Sequence, residues 1–314
     1  MAKKRVLIVY YSQTGQLTAT AKSVAGPLEK GDDTEVVYEN LFPEKAYPFP
    51  WPFFTFLDVF PESVYMDGPK LNPLGVQPDD KFDLVILAYQ TWFLSPCLPM
   101  TGFLQTDTAA KILKDTPVLT LIACRNMWIK GQEKLKARLA ELGAKYIDNA
   151  VLVDGGPSFA TFFTTPFWLL LDKKEGFLGF PPAGVSEVDI AGASRFGDAI
   201  VKGLAVDKEK SGEPLLAGLG AVNVNTKYIL GENTAHRSFL IWGRLLRKAG
   251  PQGAPIRKVL LTCYVTFLIT FILTFIPLTI VLKILLAPLL KKRLMAEKAR
   301  LELPSGSDRS LMVE

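Results

Sequence analysis

Two short runs in the first half of the chain are apolar along almost their whole length. They are Asp83–Tyr89 (DLVILAY) and Val118–Ala123 (VLTLIA). A strand with apolar residues on both faces must be covered on both faces, as happens in a parallel sheet between two layers of helices. These runs therefore restrict the chain to a small set of layered α/β folds.

Three more runs of strand length and three helical segments complete the pattern. The predicted strands are Arg5–Tyr11, Thr34–Tyr38 and Tyr146–Val153, and the predicted helices are Gln16–Glu29, Ile129–Leu142 and Ser186–Leu204. Gly143 is a predicted C-terminal cap and Ser186 a predicted N-cap. Alternating strands and helices predict a doubly wound sheet of five parallel strands, whose ligand binds beyond the carboxyl ends of the strands.

Two connections are too long for a minimal sheet of this kind. Leu41–Pro78 and Gly155–Pro182 are both rich in proline and aromatic residues. Long connections in compact domains are usually functional or disordered, and aromatic content argues against disorder. Two interpretations stay open: satellite packing on the sheet surface, or a lid or channel wall for an apolar substrate.

The strongest apolar run lies near the C-terminus. Val259–Leu290 has 32 residues and a single charge, Lys283. A membrane span needs about 20 apolar residues, so this run predicts a membrane element. It is either a hairpin bent near Pro277 with both ends cytoplasmic, or one tilted crossing, Val259–Leu282, followed by an interfacial helix. Basic residues flank both ends: Arg257, Lys258, Lys291, Lys292 and Arg293.

The charge distribution agrees with this division. After Leu204 the chain has 16 Lys and Arg against 8 Asp and Glu, whereas residues 1–204 have 20 against 23. The predicted partner of the basic part is membrane lipid rather than nucleic acid. We predict an α/β domain over residues 1–204, a linker and amphipathic helix over 205–255, a membrane-embedded segment over 256–294 and a polar tail over 295–314.

Cysteine and histidine usage narrows the chemistry. The three cysteines, Cys97, Cys124 and Cys263, have no metal or redox spacing, and no metal site is predicted. The single histidine, His236, excludes a paired-histidine site. The N-terminus lacks the features of a secretory signal. We expect the protein on the cytoplasmic face of the inner cell membrane, anchored by its C-terminal apolar segment.

The loop after the first predicted strand, SQTGQLT (Ser12–Thr18), combines hydroxyl and amide side chains with a glycine and contains no cation. It leads directly into a helix, where unpaired N–H groups and the helix dipole favour an anion. A phosphate fits such a position, and Gly15 would let the backbone approach it closely. A serine-threonine turn that only caps the helix is the alternative.

This loop resembles the phosphate loop of flavodoxins, which bind FMN without a cation. Ser12, Thr14 and Gly15 match the family pattern, whereas Gln16 stands where Asn is common and Leu17 where a second Thr is expected. The resemblance implies FMN contacts from the whole loop: Ser12, Gln13, Thr14, Gly15, Gln16, Leu17 and Thr18.

Two further loops extend the resemblance. In AYQTWFLSPCLPM (Ala88–Met100), it implies that Trp92 lies against the flavin ring with Thr91 and Phe93 beside it; a buried aromatic that closes a turn is the alternative. In ACRNMW, Arg125 and Asn126 could stabilise negative charge on reduced flavin or hold a substrate oxygen. The alternative for the arginine is a salt bridge to a carboxylate such as that of Asp154.

Together with the segment YPFPWPFF…FPESVY, these loops are similar to a flavodoxin-like family found with dialkylresorcinol biosynthesis, over about Val6 to Leu204. The resemblance implies an aromatase that oxidises a lipophilic 2,5-dialkylcyclohexane-1,3-dione, and a neighbouring ketosynthase as a pathway partner. Thiolase-type condensation is excluded, since it needs a cysteine with two His, or with His and Asn, and the one late histidine does not supply the pair in a fold of the wrong class. Candidate catalytic residues are Arg125, Asn126 and Tyr89, with Asp154 as a further polar helper.

Three other functions remain open at this stage. A membrane-bound NAD(P)H:quinone oxidoreductase would share the fold, the FMN and a lipid-soluble substrate. A tethered flavodoxin-type electron carrier is usually strongly acidic around the flavin, whereas residues 1–204 have a net charge of only −3. A scaffold without cofactor would explain Leu17 in the phosphate loop. A homodimer is compatible with all of them.

Overall fold

The computed structural model describes residues 3–312, and the side chains of residues 275–289 lie outside that description. The strands are β1 (Lys4–Tyr10), β2 (Thr34–Asn40), β3 (Leu84–Tyr89), β4 (Thr91–Trp92), β5 (Ser95–Pro96), β6 (Pro117–Cys124) and β7 (Lys145–Val153). The helices are α1 (Gln16–Lys30), α2 (Phe53–Asp58), α3 (Phe60–Val64), α4 (Leu98–Leu104), α5 (Asp107–Leu113), α6 (Ile129–Glu141), α7 (Ser158–Leu171), α8 (Glu187–Gly192), α9 (Ser194–Leu204), α10 (Lys208–Ser211), α11 (Thr226–Lys248) and α12 (Pro255–Leu301).

The core is a five-stranded sheet in the order β2-β1-β3-β6-β7, and every neighbouring pair is parallel. This is the flavodoxin-like strand order, with its switch point between β1 and β3. The central strands β3 and β6 are buried at every position, as their continuous apolar sequence predicted. The predicted fold class is confirmed.

Helices cover both faces of this sheet. The chain passes through α1 in one direction, from β1 to β2, and through α6 in the other, from β6 to β7. Because both crossovers are right-handed, α1 and α6 lie on opposite faces. Helix α9 packs so closely on α1 that a Cβ at Gly197 would lie 2.1 Å from the Val24 carbonyl oxygen, so only glycine allows this approach.

The predicted helix Ser186–Leu204 is two helices, α8 and α9. Ser186 is the N-cap of α8, as predicted, and its hydroxyl accepts from the Asp189 N–H at 3.0 Å. After Gly192 the Ala193 N–H turns back to the Ile190 carbonyl, so the chain tightens by one residue before α9 begins. The hydrophobic spacing of the sequence does not reveal this local turn.

Residues 205–225, here called the returning segment, differ from the predicted linker because they pack against the sheet. Leu216 and Val222 are buried in the main core, and the Val151 N–H of β7 donates to the Ala221 carbonyl at 2.8 Å. Residues 302–312 return to the same edge, where the Val222 N–H donates to the Gly306 carbonyl. The free edge of β7 is thus covered by two segments from the C-terminal third.

A second, smaller core joins α2 and α3 to α11 and α12. Phe60 stacks on Tyr264 with ring centroids 4.9 Å apart. Arg257, at the start of α12, is buried between the carboxylates of Asp58 and Glu62 at 2.6 and 2.5 Å. Contacts from two distant parts of the chain therefore fix the amino end of α12.

Among the described residues, one helical segment is long and apolar enough to cross a membrane. It is Pro255–Thr274 in α12, with a mean hydropathy of 1.9, and length and composition alone identify it. The bend expected near Pro277 falls among the residues whose side chains are not described.

Candidate functional site

The largest group of polar and aromatic loops lies at the carboxyl ends of β1, β3 and β6, where the strand order predicts a ligand. A cavity of about 350 Å³ opens there, within the size range of small-molecule sites. Arg125 is the only charged residue of its described lining. The other lining residues are Gln13, Thr14, Gln16, Leu17, Phe49, Phe56, Gln90, Thr91, Trp92, Phe93, Leu94, Ala123, Cys124, Asn126, Met127, Thr165, Trp168, Leu169, Gly184 and Phe239.

The loop after β1 presents an open helix end to this cavity. Gly15 has φ +81° and is the N-cap of α1, where no side chain caps the helix and the first turn carries no acidic residue. No atom lies within 4 Å of the position that a Cβ at Gly15 would occupy. Thr14 is exposed beside it, and the Thr18 N–H donates to the Ser12 hydroxyl at 3.4 Å. The remaining unpaired N–H groups of the first turn and the exposed Thr14 hydroxyl suit an anion.

The other side chains of this loop connect it to the two long insertions. Gln13 accepts from the Trp51 indole N–H at 2.9 Å, and Gln16 accepts from the Val185 N–H at 2.7 Å. Leu17 is buried in the main core. The sequence predicted all three as FMN contacts. Because each already has a partner within the protein, the groups of this loop that remain available to an anion are mainly those of Ser12, Thr14 and the backbone N–H groups.

The loop after β3 is a two-residue hairpin that joins β4 to β5. Its turn residues, Phe93 and Leu94, both have positive φ, at +47° and +58°. This is the backbone of a type I′ turn, which side chains other than glycine and asparagine rarely adopt. Non-glycine residues persist in that conformation only where the surrounding packing holds them, and such strain clusters at functional sites.

Trp92 is fixed by other aromatic rings and lines the cavity. It makes edge-to-face contacts with Tyr47 at 5.3 Å, Trp51 at 5.6 Å and Tyr11 at 6.0 Å. The hydroxyl of its neighbour Thr91 is buried without a hydrogen-bond partner among the described residues. A rigid indole beside an unsatisfied hydroxyl can bind a flat, polar-edged ring.

The loop after β6 contributes Arg125 and Asn126. The Arg125 guanidinium donates to the Thr161 hydroxyl and the Ser158 carbonyl, both at 3.0 Å, and makes no salt bridge to Asp154. Burial lowers the pKa of Arg125, yet an arginine remains protonated in proteins. Arg125 thus supplies positive charge to the cavity and holds the first turn of α7.

Helix α7, from the second insertion, forms one wall of the cavity through Thr165, Trp168 and Leu169. The Thr165 hydroxyl is buried and has no partner among the described residues. The Leu169 carbonyl accepts from the Trp51 N–H at 2.9 Å, which links this wall to the first insertion. Both insertions therefore contribute to the wall of the cavity, and their role as a lid for an apolar substrate stays a prediction.

Two of the predicted polar helpers do not reach the cavity. Tyr89 is fully buried and donates to Gln132 at 2.7 Å within the core. The Asp154 carboxylate accepts from the N–H groups of Gly156 and Gly184, both at 2.8 Å, and so joins the start and the end of the second insertion. A strand-end position alone could not distinguish a side chain that points into the core from one that points into the site.

A second polar cavity of about 140 Å³ lies behind the β6 loop and shares Arg125 and Asn126 with the first. Its buried Glu232, on α11, accepts from the Lys130 N–H at 2.9 Å and the Ile129 N–H at 3.4 Å, at the start of α6. Burial raises the pKa of Glu232 to about 7. Asn126 donates to the Tyr228 hydroxyl at 3.4 Å in the same cavity.

Sequence reasoning missed Glu232 because it lies in the segment predicted to be only a linker and an amphipathic helix. It also missed the wall residues Phe49, Phe56 and Phe239, although the aromatic content of the first insertion was a visible signal. Within the described part of the chain, no group of three His, Cys, Asp or Glu side chains could hold a metal ion.

No protein-family model matches the chain, and no curated protein matches it. Among solved structures, a flavoprotein from Lactobacillus acidophilus NCFM in complex with FMN is 17% identical, covers 47% of this chain and 93% of its own, and has a TM-score of 0.38. A WrbA-like flavodoxin from Agrobacterium tumefaciens is 12% identical, with coverages of 66% and 99% and a TM-score of 0.37. Flavodoxin 1 from Bacillus cereus is 14% identical, with coverages of 63% and 98% and a TM-score of 0.35. Scores this low add no weight to the fold, which the strand order defines.

Proposed function

We propose that this flavodoxin-like protein is a membrane-associated, FMN-dependent oxidoreductase that converts a 2,5-dialkylcyclohexane-1,3-dione to the dialkylresorcinol. One observation carries the proposal: a mainly apolar cavity with a single cation, Arg125, lies between the uncapped end of α1 and two aromatic insertions. An electron carrier needs only the flavin site, whereas the two aromatic insertions beside this cavity support a site for an apolar substrate as well.

The residues present fit FMN. The loop Ser12–Thr18 offers an anion the uncapped N–H groups of α1 and the exposed Thr14. Trp92 offers an aromatic surface, and the partnerless hydroxyls of Thr91 and Thr165 are buried polar atoms that a ligand would satisfy. When bound, FMN supplies a two-electron hydride acceptor.

The substrate loses two hydrogens, one as a hydride and one as a proton, and the ring becomes aromatic. Arg125 would hold a ring oxygen and stabilise the negative charge that develops there when the proton leaves. Asn126 would orient the same oxygen, and the buried carboxylate of Glu232, behind this loop, would take up the proton through the shared polar cavity. The apolar walls around Phe49, Phe56 and Phe239 would accept alkyl groups and exclude water.

Two contacts place both ends of α12 on the same domain. Arg257 pairs with Glu62 at 2.5 Å, and Arg300 pairs with Glu133 at 2.8 Å. The two sites are linked because Lys134, next to Glu133, donates to the Val64 carbonyl at 2.7 Å. With every side chain extended, these contacts span at most about 50 Å, whereas one straight helix would separate the two arginines by about 65 Å.

A segment that leaves the domain and returns to it on one side would satisfy both contacts. These contacts therefore support the proposed hairpin with both ends cytoplasmic over a single crossing. A dione with two alkyl chains favours the bilayer by about 0.8 kcal/mol per buried CH₂. An enzyme held at that surface meets its substrate where the substrate is concentrated.

The test uses the full-length protein in nanodiscs, loaded with FMN under anaerobic conditions. Addition of a synthetic dialkylcyclohexanedione should bleach the flavin and give one resorcinol per flavin in a single turnover, measured by absorbance and mass spectrometry. Intact flavin absorbance and no resorcinol would refute the aromatase.

The same protein distinguishes two of the other functions. Rapid bleaching by NAD(P)H, followed by re-oxidation with a quinone, would instead identify a quinone reductase. Protein that neither retains nor is stabilised by added FMN would identify a scaffold without cofactor.

A further inference from the structure

Helix α7 and the loop that follows it expose a dense group of apolar side chains. Phe159 is 71% exposed and Leu178 is 92% exposed. Between them lies an open groove of about 540 Å³ with almost no polar atoms, lined by Phe162, Phe163, Pro166, Phe167, Leu170, Leu171 and Phe177. Patches of this kind on a soluble surface mark an interaction site.

The opposite side of the same helix forms the wall of the candidate flavin cavity, through Thr165 and Trp168. One helix thus separates the cavity from the exposed apolar groove. Its first turn is held by Arg125 and by a hydrogen bond between the hydroxyls of Ser158 and Tyr228, and the carbonyl of Leu169 is bound by the Trp51 N–H.

A chain of contacts connects the helix that carries the groove to the apolar segment of α12. The residue that binds Leu169, Trp51, lies just before α2, whose Phe53 and Phe54 are exposed. The ammonium of Lys258 lies 5.0 Å from the centre of the Phe54 ring. From there the outer face of α12 continues the exposed apolar surface with Val259, Phe267, Ile269 and Leu273.

We infer that α7 and its following loop lie in the plane of the membrane interface, with their exposed face in the bilayer to which α12 attaches the protein. The occupant of the groove is lipid acyl chain. The charges at the start of the loop balance, because Asp172 and Glu175 flank Lys173 and Lys174, so the apolar face rather than headgroup charge carries this placement.

This placement deepens the proposed function and rests on it in one respect: a substrate would pass from the bilayer along α7 into the cavity. The membrane placement itself is independent of the chemistry, because it depends only on exposure and on the position of α12. The experiment therefore measures position first and activity second.

Single cysteines are introduced in a Cys263→Ser background, which leaves only the buried Cys97 and Cys124. Phe159→Cys and Leu178→Cys report on the proposed face, and Val188→Cys, 81% exposed on α8, is the matched control. Each carries an environment-sensitive fluorophore, and the full chain with FMN is reconstituted in vesicles that contain brominated lipid.

We expect quenching of at least about twofold at positions 159 and 178 and none at position 188. Equal, weak quenching at all three positions would overturn the inference whatever the activity. Protection of 159 and 178 by a second copy, seen as excimer fluorescence between pyrene labels without lipid quenching, would also overturn it and assign the face to a homodimer.

A second measurement tests the link to the substrate. Leu178→Asp should lower turnover of a long-chain dione in vesicles by about tenfold and leave turnover of the water-soluble dimethyl analogue unchanged. Val188→Asp should change neither rate. An equal loss on both substrates would show that α7 is not a route from the membrane.

Discussion

Two buried carboxylates mark two different regions of the molecule. Asp148, on the covered edge at β7, accepts from the N–H groups of Asn149, Leu215 and Leu216 and from the Ser305 hydroxyl. Glu232, beside the candidate site, accepts only from two N–H groups at the start of α6 and faces a polar cavity.

Burial raises the pKa of both carboxyl groups, but at Asp148 four hydrogen bonds oppose the rise. The two carboxylates therefore have different roles in the same fold. At the β7 edge the buried carboxylate of Asp148 joins distant segments, whereas at the carboxyl ends of the strands polar groups such as the Thr91 hydroxyl are left with capacity for a ligand.

The largest expected effect is at the covered edge. Asp148→Ala would leave the N–H groups of Leu215 and Leu216 without an acceptor in a buried site, and we expect a loss of about 4 kcal/mol in the free energy of unfolding. Denaturant unfolding checks it, with the exposed Asp198→Ala as control. A loss below about 1 kcal/mol would contradict the structural role of Asp148.

The next largest effect is expected at Glu232, beside the candidate site, and it depends on pH. Because the pKa of Glu232 is about 7 in the folded state against an ordinary 4.5, folding takes up a proton between these values, and this contribution to stability is lost as pH rises from about 4.5 through 7. Glu232→Gln removes that dependence. The variant should therefore gain about 3 kcal/mol relative to wild type between pH 4.5 and pH 8.

Unfolding at several pH values measures this difference, and Glu213→Gln at an exposed position should show none. Parallel curves for Glu232→Gln and wild type would mean that Glu232 is an ordinary helix cap with no proton to exchange.

The sequence predicted the covered core better than the open site, for a physical reason. Continuous apolar strands such as β3 can be satisfied only by burial on both faces, so their pattern determines the layers and the strand type. The five-stranded sheet, α1 and α6 follow from that, with strand and helix ends predicted within about two residues.

The site depends on contacts between segments far apart in sequence, which no local pattern encodes. Nothing near Tyr89 indicates that it bonds Gln132 and points into the core, and nothing near Glu232 indicates that it meets the start of α6, about 100 residues earlier. The sequence predicts the anion site after β1 because the backbone of that one loop forms it. The sequence predicts a linker for the returning segment because its buried residues have no helical or strand period.

A smaller effect than that at Glu232 is expected at the only cation of the described cavity lining. Arg125→Gln removes the positive charge and two hydrogen bonds to α7, and we expect kcat/KM for the dione to fall about 100-fold. FMN affinity should change little, because the phosphate loop does not contact Arg125. Steady-state kinetics and flavin fluorescence measure the two quantities.

The matched control is Arg195→Gln. Arg195 also makes two hydrogen bonds, in its case to the carbonyls of Gly192 and Leu219, and burial lowers its pKa too, but it lies outside the cavity lining. It should lose stability without loss of rate. An equal loss of rate in both variants would reduce Arg125 to a structural residue.

The smallest expected effect compares one glycine from each region. Gly15 and Gly212 have φ of +81° and +76°, and at neither does an atom lie within 4 Å of the position that a Cβ would take, so alanine strains both backbones alike, by about 1 kcal/mol. Only Gly15 lies beside the open end of α1. Gly15→Ala should therefore weaken FMN binding about tenfold, and Gly212→Ala not at all. Unfolding curves and fluorescence titration with FMN measure strain and affinity separately. Equal FMN affinity in the two variants, at equal cost in stability, would show that the FMN phosphate does not bind at the amino end of α1.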